Sequence, residues 1–201
     1  MESKGPAGRP REPGCVKVGT ARYPWTRAFS GRALKGVTVN QQDQTLQEIR
    51  GAFRLYCGGE QAEGRRLLQE IWDRLGADGD VFHRCVAAHY LADVQVDPQD
   101  ELKWDLTALE VADSLDSERA GTYPSAAAVR AFYPSLHLNL ADDYRRLADF
   151  DNARRHADRG TELSGSLGLD GYGQSVRAGL VRVDSQIGER DSGPSVVFDF
   201  D

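Results

Sequence analysis

From residue 41 onward apolar side chains recur every three or four positions, the spacing that gathers them on one face of an α-helix. Strand-like alternation is nearly absent. Turn residues cut the pattern into seven segments, predicting helices near 41–57, 60–75, 79–94, 98–114, 125–148, 151–164 and 171–189. Most connections are short, and short connections force consecutive helices to pack antiparallel. The expected fold is therefore all-α and built from stacked helical hairpins. Start signals agree locally: Asp97 precedes Pro98, so a carboxylate meets free N–H groups ahead of a residue with no N–H to lose. Near the end, Tyr172, Val176, Leu180, Val183 and Ile187 form one apolar stripe, as expected of a helix that closes a stack.

Three stretches repeat one theme. Within 45–75, Ala52 and Leu55 precede a Gly58–Gly59 turn and then Gly64, Leu68 and Ile71. Within 81–113, Ala87, Ala88 and Leu91 precede a longer turn and an expected apolar face of Leu102, Trp104, Leu106, Leu109 and Ala112. Within 134–163, Leu140, Ala141 and Tyr144 precede Phe150 at the turn, then Ala153 and Ala157. Small residues at matched places let two helices approach closely, while the larger ones fill the flanks.

The third stretch resembles a tetratricopeptide repeat, the helical-hairpin unit with a period of about 34 residues. It departs from that pattern at His137, where the family has a large aromatic residue, at Ala148 for the turn glycine, at Ala157 for an aromatic and at Gly160 for a small helix former. Residues 115–133 are an insertion in which Ser125 would cap a helix. There the third hairpin's first helix is either lengthened across Pro134 or preceded by a short one. The resemblance implies a short solenoid with a C-terminal capping helix over 41–190, presenting a groove to a peptide or helix of another protein. The segments HYLADVQVDP, KWDLTALEVAD, FYPSLHLNLADDYRRL and DGYG also resemble uncharacterised helical-repeat proteins of high-GC bacteria.

Composition adjusts this picture at the ends. Residues 1–36 carry eight bases against two acids, a net of +6, which leaves −12 on the remainder given −6 overall. Residues 1–40 read as a basic, disordered Gly/Pro/Arg-rich arm and 191–201 as a flexible acidic-apolar tail. Met1 is the only methionine, so a natural start further in, at Val37 or Val39, is expected. An acidic body repels phosphate backbones and argues against nucleic acid as partner. No stretch has the roughly 20 apolar residues of a membrane helix, and Cys15, Cys57 and Cys85 show no CxxC spacing. A cytoplasmic protein without membrane partner, disulfide framework or cofactor is expected, with homodimerisation left open.

The candidate contact residues lie on the helices that would line the groove: His89, Asp93, Trp104, His137, Asn139, Asp142, Arg145 and Arg146. Each has a plainer reading beside it, namely core packing for Trp104, ordinary packing and a His–Asp surface pair for His89 and Asp93, and a solvated helix face for the others. No GxSxG, Walker or GxGxxG sequence occurs, so no catalytic residue is assigned. Three function classes follow. The preferred one is a protein-interaction scaffold or adaptor. Its rival is a metal-dependent hydrolase or lyase built on His83, Cys85, His89 and Asp93 together with His137; Cys85, His89 and Asp93 recur at four-residue steps on one helix, although ordinary packing explains them too. The third is a regulatory fragment of a repeat-bearing transcription regulator.

Overall fold

Five helices begin at an aspartate. In this computed structural model, which describes residues 43–115 and 126–194, the side chains of Asp43, Asp80, Asp97, Asp149 and Asp170 each accept a hydrogen bond from a backbone N–H two or three residues on. Each cap satisfies a donor that the first turn would otherwise leave bare, worth about 1 kcal/mol. The helices are α1 (Gln44–Cys57), α2 (Gln61–Leu75), α3 (Val81–Asp93), α4 (Pro98–Asp113), α5 (Ala126–Arg146), α6 (Phe150–Leu163) and α7 (Gly171–Gly188), with a 3-10 turn at Ser164–Ser166. All seven expected helices are present, and no strand occurs among the described residues. No helix of the described residues is long and apolar enough to cross a membrane. The arm 1–40, Cys15, Ser125 and the tail from 195 onward lie outside the described residues.

Consecutive helices pair as α1/α2, α3/α4 and α5/α6, and the first helix of each pair also touches the first helix of the next, α1 on α3, α3 on α5 and α5 on α7. The core follows this path. Leu46, Ile49, Phe53, Leu68 and Ile71 of the first pair continue into Phe82, Val86 and Tyr90, then Phe132 and Leu136, and end on Val176, Leu180 and Val183. Aromatic edges stitch the layers, with Phe53 on Tyr90 at 4.9 Å and Phe82 on Phe132 at 6.3 Å between ring centres. Each fully buried aliphatic or aromatic side chain contributes roughly 1.5–3 kcal/mol.

Two backbone details set the hairpins. A methyl group on Gly64 would lie 2.6 Å from Ala52 O and from Tyr56 N, so α1 and α2 meet backbone to backbone there and only glycine fits. In the α5–α6 turn Ala148 takes φ 61°, a left-handed conformation that ends α5 at Arg146, two residues short of the expected 148. Phe150, expected in the turn, is instead the first residue of α6, and the Arg190 guanidinium covers its ring at 4.6 Å. Upstream, α5 runs unbroken through Pro134, which decides for the lengthened helix. Next to it, the Ser135 hydroxyl donates to Phe132 O (2.8 Å) and accepts from the buried Tyr172 hydroxyl (2.9 Å).

Arginine side chains hold the connections. Arg65 donates to Val94 O (3.1 Å), Arg84 to Ala77 O (2.8 Å), and Arg177 to Leu167 O (2.7 Å) and Gly168 O (2.9 Å). Arg145, with 0% exposure, donates to Asp191 O (2.7 Å) and Gly193 O (2.9 Å). The planar fork of guanidinium suits such paired carbonyls better than an ammonium does. Ordered contacts therefore continue past residue 191, where the tail was expected to begin.

Candidate functional site

Helix α4 is turned relative to its expected orientation. Leu106 is 39% exposed and Leu102, Trp104 and Leu109 are only half-buried, while Glu101, Asp105, Ala108 and Ala112 point inward. These four positions, spaced 4, 3 and 4 apart, form a helical stripe of their own. The expected apolar face is thus corrected: two carboxylates occupy the interior, and one leucine is given up to solvent. Burying an ionised carboxylate is costly unless partners compensate it, so the neighbouring helices decide whether this arrangement holds.

They supply polar stripes of matching pitch. On α3, His89 and Asp93 are four residues apart, and on α5, Asn139, Asp142, Asp143 and Arg146 fall within two turns. His89 Nδ1 lies 3.0 Å from Asp105 Oδ1, with both side chains fully buried. The Asn139 amide reaches Asp105 Oδ2 and His89 Nδ1, each at 3.4 Å. The Arg146 guanidinium bridges Glu101 Oε2 (2.7 Å) and Asp143 Oδ1 (2.5 Å), with Asp142 Oδ2 at 3.3 Å from its Nε. One carboxylate oxygen from each of Glu101, Asp105 and Asp143 lies within 4.8 Å of the others. Asp143 Oδ2 is buried without a hydrogen bond. Burial, then the charges of Asp105 and Glu101, push the Asp143 carboxyl well above the ordinary carboxylate range, against the pull of Arg146.

Matched against known protein families, curated proteins and solved structures, the chain finds no counterpart. Its site is therefore read from its own geometry.

Of the candidate contact residues, the structure draws His89, Asn139, Asp142 and Arg146 into this junction. Asp93 is buried at the end of α3, where its charge acts on Tyr90 and on Cys57 of α1. Arg145 faces the other way: besides clamping the segment after α7, it holds Asp142 Oδ1 at 2.6 Å. Trp104 packs edge-on against Trp72 at 5.3 Å, in keeping with its core reading. His137 stands apart, with its Nδ1 3.0 Å from Nδ1 of His156 on α6. These two imidazoles lie between tyrosines, Tyr133 against His137 (6.3 Å) and Tyr144 against His156 (5.5 Å), so a ladder of four rings replaces the large aromatic missing at 137. Burial first, then the charges of His156 and Arg159, push the His137 imidazole down to about 4. Burial and Arg155 lower His156 as well. A direct contact between two ring nitrogens needs one of them as an unprotonated acceptor, which the lowered values allow.

The set His83, Cys85, His89 and Asp93 is not brought together. His83 Nε2 turns to Asp43 Oδ2 at 2.7 Å, His89 turns to Asp105, and burial raises the Cys85 thiol so that no thiolate is on offer. Among the described residues, the one group of three or more metal-ligating side chains with converging atoms is Glu101, Asp105 and Asp143. None of these was singled out from the sequence as a metal ligand. The available signal was the inward stripe 101, 105, 108 and 112 on α4, whose two alanines leave room for a neighbouring helix.

Proposed function

We propose that residues 43–194 form a short tetratricopeptide-like stack that works as a protein-interaction scaffold, its partner a peptide or helix of another protein. The observation that carries this reading is the succession of first helices, α1 on α3 on α5 on α7, with a second helix returning beside each of the first three. A closed four-helix bundle has no need of that order, whereas an array built by stacking hairpins generates it directly. Close approach supports the same reading, since Gly64 in the first pair and the fully buried Ala141 and Ala153 in the third stand where two helices of a repeat meet.

Affinity capture with the full chain in its native host tests the proposal. Asn139→Ala and Asp142→Asn are the informative variants, because both positions are half-buried on the face that the first helices share. A scaffold loses at least one specific protein by about tenfold, equivalent to about 1.4 kcal/mol of contact, at a temperature where each variant's own melting curve shows it folded. Equal recovery of every captured protein by wild type and both variants would remove this reading.

A further inference from the structure

We propose that Glu101, Asp105 and Asp143 form a closed site for one divalent, oxygen-preferring cation at the junction of α3, α4 and α5. Three features carry it. First, one oxygen from each carboxylate falls within 4.8 Å of the other two, a spread that suits ligands at about 2.0–2.6 Å from a single Mg²⁺, Mn²⁺ or Ca²⁺. Second, Asp143, at 1% exposure, has Oδ2 without a hydrogen bond, and a buried acceptor of this kind is expensive to leave unfilled. Third, donors orient each carboxylate: Arg146 on Glu101 and Asp143, His89 and the Asn139 amide on the two oxygens of Asp105. That is the outer layer by which metal sites orient their ligands.

The identity of the ligands selects the ion. All three are carboxylates, and the imidazole beside them is turned to Asp105 through Nδ1, so hard cations are favoured over zinc or copper. Exposures of 4%, 0% and 1% at the three ligands leave no opening for a substrate, so the ion's role is structural. It would tie α4 to α5 and account for carboxylates inside α4 with Leu106 outside. This site is independent of any partner and shares no ligand with the His83, Cys85, His89 and Asp93 set.

Because the site is closed, it fills as the chain folds. The test is to unfold the full-length protein in chelator, refold it with Mn²⁺ or with Ca²⁺, remove free ion by gel filtration and measure retained metal. One ion per chain is expected in wild type, with at least a tenfold loss in Asp143→Asn and in Glu101→Gln. His89→Gln, which leaves the three ligands in place, is expected to weaken retention by about 10- to 100-fold. As a readout that does not depend on the folding of a ligand variant, wild type is also melted with Mn²⁺ and with chelator, and the ion is expected to raise the midpoint. No retained metal and no midpoint shift in wild type would overturn the proposal. So would an Asp143→Asn protein at least as stable as wild type, the sign that a proton already fills the site.

Discussion

Between α1 and α2 the backbones touch where Gly64 meets Ala52 and Tyr56, and the two helices also bury Phe53, Leu68 and Ile71 in the core. Among α3, α4 and α5 the groups that meet are instead His89, Glu101, Asp105, Asn139, Asp143 and Arg146. Both junctions are buried, yet what each tolerates is opposite. The first is limited by volume, because no atom can be added without pushing two backbones apart, while charge and pH do not enter. The second is limited by charge: changes of size are absorbed by side chains, whereas loss of one donor strands a carboxylate in low dielectric.

The largest effect is expected from Arg146→Met, which keeps the volume and removes the guanidinium shared by Glu101 and Asp143. Leaving those charges uncompensated is expected to cost about 3–5 kcal/mol in urea unfolding. The difference from wild type should shrink at low pH, where the carboxylates take up protons. A loss that stays the same from neutral to acid conditions would erase the distinction between the junctions. In the first hairpin Gly64→Ala is expected to cost about 2 kcal/mol, with no dependence on pH. Gly51→Ala on α1, the partner helix of the same hairpin, whose added methyl meets only an arginine tip at 3.9 Å, is expected to gain about 0.5–1 kcal/mol. The contrast within one hairpin separates crowding from helix propensity.

A smaller effect belongs to the His137–His156 pair. The folded His137 imidazole titrates near 4, below its ordinary value of 6.5. Below about pH 6.5 the unfolded chain therefore takes up a proton that the folded chain refuses. The stabilisation is complete above that pH, and falls away as the pH drops toward 4. His137→Phe keeps a ring in the ladder but cannot titrate, so its midpoint should decline less than that of wild type over this window. The raised Asp143 carboxyl acts in the opposite direction, since acid favours its folded form, but it is common to both proteins and cancels in the comparison. Parallel melting curves across pH 4 to 6.5 would disprove the assignment.

The helices were readable in the sequence because their signals are local. Aspartates before Gln44, Val81, Pro98, Phe150 and Gly171, glycines at 58, 59 and 76, and the apolar period each act within a few residues. The orientation of α4 was not readable in the same way. Leu102, Leu106 and Leu109 fit a helical face as well as Glu101, Asp105, Ala108 and Ala112 do, and only the polar stripes of α3 and α5 decide between them. The same holds for Arg145 and His137. Both are prominent as letters on one helix, but their roles come from Asp191, Gly193 and His156, which lie 46, 48 and 19 positions away. The pattern shows that a residue is polar and well placed, while its partner is fixed only when distant segments meet.

The clamp made by Arg145 bears on how the chain comes apart. A terminal helix ordinarily frays first, since it has neighbours on one side only. Here, peeling α7 and residues 191–193 away would bare a fully enclosed guanidinium on α5 and release two carbonyls at once. The last helix and the third hairpin are thereby coupled into one cooperative unit, and hydrogen exchange in α7 should keep pace with α5 instead of running ahead of it.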